Sequence, residues 1–149
     1  MKNIEKTLND LVSIYGEDGK GGAYPNLRQW RACLSSEHTG AIQTFNFSKL
    51  RKTALYENGE QGVSGTQAMQ RYAECSMRVE KSMEVVYAGA YNGVLMGHDD
   101  GVGWDSLALI KFPSLEHWAS IFLHPEYIKG VHHRVAAVEK FLMIVSYVK

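Results

Sequence analysis

Four short stretches of the chain, residues 45–47, 85–91, 107–112 and 142–147, read as strands too apolar for a sheet with one wet face. This constrains the fold more than any other feature. Left open, a sheet built from them would show an apolar patch larger than the few hundred Å² that a soluble monomer tolerates. Helices can cover one side. The other side needs a further cover, and a second copy of the chain is the simplest one. The expectation is therefore a homodimer formed sheet against sheet.

The spacing of apolar residues orders the elements between those strands. Ile4, Leu8, Leu11 and Tyr15 recur at helical spacing up to Gly16. The glycine-rich stretch 16–25 lacks the phosphate-loop pattern G-x-x-x-x-G-K-[ST] and follows no strand, so it reads as a flexible connector. Asn26 and Gln29 then form a capping pair ahead of a second short helix carrying Leu27, Trp30 and Leu34. Residues 41–48 mix β-formers with polar residues and predict the first strand. Ser64 and Gln67 fit a capping box for a helix ending near Ser82, with Ala68, Tyr72, Cys75, Val79 and Met83 in one stripe. A strand at 85–91 runs on towards Met96, and turn-forming residues 97–103 lead into a strand at 104–112. Ser114 caps a helix bearing Leu115, Trp118, Ala119 and Phe122. Pro125 interrupts it and opens another, whose stripe of Tyr127, Val131, Val135 and Val138 continues to Phe141. Residues 141–148 close the chain as a strand. The order β-α-β-β-α-β predicts an α+β, ferredoxin-like antiparallel sheet with helices on one face, spanning residues 39–149, behind a two-helix N-terminal extension at residues 1–38.

Composition narrows the class. With 149 residues, 45% of them hydrophobic, the chain can bury a core as one domain without disulfides or metals. Cys33 and Cys75 stand far apart and read as ordinary thiols of a reducing, cytoplasmic protein. Sixteen basic residues balance sixteen acidic ones, removing the field that would draw the chain to nucleic acid or anionic lipid. No stretch approaches the ~18 apolar residues of a membrane span, and the start lacks a signal-peptide pattern.

A series of residues resembles the domain-of-unknown-function family 1330 of the dimeric α/β-barrel superfamily. It comprises Asn46, Tyr56, Ser64-Gly65, Tyr72, Gly89, Trp104-Asp105, Phe112-Pro113-Ser114, Pro125-Glu126-Tyr127 and His133-Arg134. The resemblance covers residues 40–149 and leaves the leading helices outside it. It implies a dimer whose two sheets close into a barrel, and it implies no settled reaction. Similar folds serve cofactor-independent oxygenases, isomerases, haem-handling enzymes and sensors, so the fold does not select a function.

Arg134 falls on the apolar stripe with Tyr127, Val131 and Val138, where a charge needs a partner or a ligand. It is either a structural ion pair or snorkelling side chain, or an anchor for a carboxylate or enolate. His133 projects nearly opposite the stripe, as a solvated side chain or a general base. Asp105 is a turn residue, a partner for Arg134 or the orienter of a catalytic His. Tyr72 is a core tyrosine or aims its hydroxyl into a helix–sheet cleft. Asn46 points to the dimer interior or to that cleft, and Trp104 stands with Tyr72 and Asn46 as a candidate substrate-binding residue. His98, Asp99, Asp100 and Asp105 fit a turn better than a metal loop, and Ser64 misses the G-x-S-x-G elbow. No metal, cofactor or triad is expected. These residues suggest a cofactor-free enzyme acting on a small acidic or oxygenated aromatic compound, and the resemblance implies that it would be of oxygenase or isomerase type. In it Arg134 holds the anion, and His133 or Asp105 moves the proton. The alternatives are a ligand-binding or sensor module without turnover, and a purely structural dimer.

Overall fold

The computed structural model describes residues 3–79 and 82–149. The chain opens with α1 (Ile4–Tyr15), a 3-10 turn (Lys20–Gly22) and α2 (Leu27–Leu34). Then come β1 (Ile42–Leu50), α3 (Gly65–Val79), β2 (Glu84–Ala90), β3 (Ser106–Phe112), α4 (Leu115–Phe122), α5 (Pro125–Ala137) and β4 (Val138–Tyr147). All strand pairs are antiparallel, in the order β2-β3-β1-β4. This α+β arrangement is consistent with the expected ferredoxin-like fold.

Polar side chains fix the helix starts where the free amides need acceptors. Gln29 N donates to Asn26 Oδ1, and Asn26 N donates back to Gln29 Oε1, each at 2.9 Å. Ser64 and Gln67 make the same reciprocal pair ahead of α3, and Ser114 Oγ accepts from His117 N at 3.1 Å. The strand ends differ from expectation. β2 stops at Ala90 and β3 starts at Ser106, because Gly97, Gly101 and Gly103 take positive φ and break the extended chain. β4 starts at Val138, not near Phe141. Val138 is already extended while its N–H still donates to Arg134 O, so helix passes into strand with no loop. The expected end of α3 near Ser82 follows residues 80–81, which lie outside the described residues.

The leading helices are built into the main core. Trp30 of α2 is fully buried, with ring centroids 5.7 Å from Trp118 and 5.0 Å from Phe122 of α4. Leu8, Leu11 and Tyr15 of α1 share this cluster with Ile42 and Phe112 of the sheet. Tyr15 Oη donates to the Phe122 carbonyl at 2.6 Å, fastening α1 to the end of α4.

The two sheet faces differ. The helix-facing pleat of β1 carries Ile42, Thr44, Asn46 and Ser48, all buried, so its centre is polar where an apolar face was expected. Asn46 tolerates burial because its Nδ2 donates to Thr44 Oγ1 at 2.9 Å and to the Thr44 carbonyl at 3.2 Å. The opposite pleat carries Phe45 and Phe47, and the strand register places Leu107, Leu109, Leu142 and Ile144 beside them. Ile144 is 48% exposed and Tyr87 on β2 is 51% exposed.

α3 and α5 meet through small residues. A Cβ on the buried Gly130 would lie 2.5 Å from Cys75 Cβ, and one on Gly65 would run into the Arg51 carbonyl oxygen. Alanine raises helix propensity by roughly 0.5–1 kcal/mol, and overpacking costs about 1–3 kcal/mol. Gly65→Ala and Gly130→Ala should therefore each lower the urea midpoint with an unchanged slope. A midpoint equal to or above that of the parent would show that the helices do not approach this closely.

Candidate functional site

A cavity of about 520 Å³ lies between the 22–25 segment and α2 on one side and β4 on the other, with Trp118, Phe122 and Arg134 in its wall. The stripe spacing of α5 sends Arg134 there, since residues three and four apart share a helix face. Arg134 is only 3% exposed. Its Nη2 donates to the Ala23 carbonyl at 2.8 Å, and its Nε finds no acceptor among the described residues. The guanidinium carbon lies 4.7 Å from the Phe141 ring centroid, 5.7 Å from that of Tyr72 and 5.8 Å from that of Tyr24. No carboxylate of the described residues neutralises it.

Burial alone works against this charge, but the nearby oxygens of Tyr127, Tyr72 and Tyr24 outweigh it and keep the guanidinium protonated. The phenols respond in the opposite sense. Burial, reinforced by Tyr72, holds the Tyr127 hydroxyl well above its ordinary value, and burial with Tyr24 does the same for Tyr15. Tyr24 is also raised by burial. At neutral pH these three are un-ionised hydroxyls that orient and donate rather than bases. Tyr72 Oη meets Tyr127 Oη at 3.2 Å, so the two share one hydrogen bond beside the arginine. Cys33 lines the same cavity. Burial pushes its thiol up to about 11, so it is no thiolate there.

Of the six residues singled out from the sequence, the structure brings Arg134 and Tyr72 together. Asn46 faces the same helix–sheet layer, which settles its pleat, with its amide nitrogen bonded to Thr44. The other three are elsewhere. His133 Nδ1 is paired with Tyr56 Oη at 2.7 Å, on a different side of α5. Arg71 stands behind that pair, its Nη1 3.4 Å from Tyr56 Oη and 2.8 Å from Glu60 Oε1. Asp105 is exposed, and its Oδ2 accepts from Leu50 N at 2.6 Å, closing the end of β1. It does not receive Arg134. Trp104 leans on Phe47, 5.8 Å between centroids, against the outer pleat. Sequence reasoning missed Ala23, Tyr24 and Trp30. The one signal for them was an aromatic, Tyr24, at the end of a glycine-rich connector just ahead of a capped helix. Among the described residues no His, Cys, Asp or Glu side chains gather as metal ligands, and no helix is long and apolar enough to cross a membrane.

Two crystal structures of RPA0582, a protein of unknown function from Rhodopseudomonas palustris, are similar to this chain. One is of the methylated protein, with a TM-score of 0.76 at 27% identity, covering 82% of this chain and 90% of that one. The other has a TM-score of 0.74 at 27% identity, covering 82% and 92%. At3g17210 from Arabidopsis thaliana shares the fold at 14% identity, with a TM-score of 0.51 over 72% of this chain and 95% of that one. No protein-family model and no curated protein matches the chain.

His133 is held below its ordinary value by partial burial, then by His132 and by the positive Arg71. The unfolded chain therefore takes up this proton first. The contribution of His133 to stability is whole above the unfolded value near 6.5 and is lost as pH falls through the lower folded value. An NMR titration should find its imidazole titrating below 6.5, and Arg71→Gln should move it upward. A downward move or none would remove Arg71 as a cause.

Proposed function

We propose that this chain is a homodimeric α/β-barrel protein that binds a small acidic or aromatic molecule between its sheet and helices. The observation that carries this reading is Arg134, buried and charged with no carboxylate partner, in the wall of a cavity lined mainly by aromatic and apolar side chains, with Gln29 as a further polar group. A volume of about 520 Å³ falls in the range of small-molecule sites, which place a few polar groups on apolar walls. The reading favours binding without turnover over cofactor-independent oxygenase or isomerase chemistry. That chemistry needs a group to move a proton beside the anion, and His133 and Asp105, the residues of that type, are engaged elsewhere.

Arg134→Met is the direct test. Replacing buried charged groups by apolar side chains of similar volume is often neutral or stabilising when no opposite charge is left behind, and Arg134 has no carboxylate partner to orphan. The variant should therefore melt near the parent without ligand. A ligand at about one hundred times its dissociation constant stabilises the parent by about 2.7 kcal/mol, a rise in midpoint that Arg134→Met should lose. A thermal-shift screen of aromatic carboxylates and phenols reads both. An undiminished rise in the variant would remove Arg134 from the site.

The dimer reading is supported by the outer pleat, where apolar side chains from all four strands form one surface. Its rim carries Lys49, Lys111 and Lys140, the polar border that protein interfaces show. Ile144→Lys adds a charge at a half-exposed position, harmless to a monomer and disruptive to a sheet-on-sheet pair. Sedimentation at micromolar concentration should find the parent dimeric and the variant monomeric. A monomeric parent would end this part of the reading.

A further inference from the structure

The Nε–H and one Nη–H of an arginine lie parallel along one edge of the guanidinium, spaced for the two oxygens of a carboxylate. On that edge of Arg134 the buried Nε has no acceptor among the described residues, and Nη2, the nitrogen that shares the edge with Nε, gives one of its two hydrogens to the neutral Ala23 carbonyl at 2.8 Å. An orphaned donor in a buried site costs roughly 1–3 kcal/mol, more when the group is charged. A carboxylate on this edge would satisfy both donors and replace a neutral acceptor with a charged one, which makes the stronger hydrogen bond.

We infer that the cavity takes a monocarboxylate on an aromatic body, seated side-on along the Nε–Nη2 edge of Arg134 in place of the Ala23 carbonyl. This rests on the reading of the cavity as a small-molecule site and narrows its ligand class. Arg134 is the one charged side chain among the cavity's described lining residues, so it offsets a single negative charge. A phosphate dianion or a dicarboxylate would carry one charge more than Arg134 offsets, against walls that are mainly apolar. Tyr24, Phe141 and Tyr147, the lining aromatics that keep accessible surface, supply faces and edges for a ring system of one or two rings. The same exchange gives the glycine-rich connector a role. Its Ala23 carbonyl occupies the donor that the ligand takes, so binding frees this segment from α5.

The test is calorimetric titration of the full chain with 2-naphthoate, 2-naphthol and 2-naphthyl phosphate, alongside the carbonyl 13C resonance of Ala23. The expected result is that naphthoate binds at least about tenfold tighter than the other two, the worth of one hydrogen bond to a charged group. The Ala23 resonance should shift on its addition. Arg134→Lys keeps the charge but loses the paired donors, and should lose about tenfold in naphthoate affinity. Equal binding of naphthol, or tighter binding of the phosphate, would overturn the carboxylate assignment and leave the small-molecule site standing. Naphthoate binding with an unmoved Ala23 resonance would overturn the exchange. Binding of none of the three would overturn both readings. Should Arg134→Lys fail to fold, the ligand series and the resonance decide on the parent chain alone.

Discussion

One buried positive charge organises this molecule. Taking a guanidinium out of water costs several kcal/mol even after the protein relaxes, and Arg134 meets that cost without a carboxylate. Its compensation is distributed over distant parts of the chain. The connector between α1 and α2 gives the Ala23 carbonyl and the Tyr24 ring, α3 gives Tyr72, α5 gives Tyr127 and β4 gives Phe141. None of these elements can move far without exposing or orphaning the charge. The N-terminal helices, which join the core through Trp30 and Tyr15, are thereby held in place at a second point.

Much of the architecture was legible because it is written in local chemistry. The reciprocal caps at Asn26–Gln29 and Ser64–Gln67 need only four residues to be recognised, and the changes of period separate helices from strands. Arg134 and Tyr72 were legible for a related reason, since their stripe positions give the direction in which they project. Other features depend on contacts distant in the sequence. Ala23 and Arg134 are 111 positions apart, and nothing in a glycine-rich connector announces that one of its carbonyls will solvate a cation. Asp105 reads equally well as a turn residue and as an acid, and only the Leu50 amide decides between them. The polar inner pleat of β1 was hidden because Thr44 and Asn46 satisfy one another, which composition alone does not reveal.

His133 and Arg134 show how much one helical step changes. They are adjacent in sequence, yet about 100° of rotation separates neighbouring side chains on a helix. Arg134 is buried among the rings of Tyr24, Tyr72 and Phe141, while His133 joins the half-buried group of Tyr56, Arg71 and Glu60. A dipeptide that looks like an acid–base and anion-binding unit in one dimension is, in three, two side chains with separate neighbours. The Tyr24 hydroxyl and the Cys33 thiol in the cavity wall are both held in their neutral form by burial, and these suit recognition better than turnover.

The direct passage from α5 into β4 has a mechanical consequence. With Val138 already extended and still hydrogen-bonded to Arg134, the chain has no slack between the cation and the edge strand. Leu142 and Ile144 lie a few residues along that strand on its outer side. Helix and strand thus follow one another without a loop, and the one irregularity in the β1–β4 register, at Glu139, takes up the change of direction beside it.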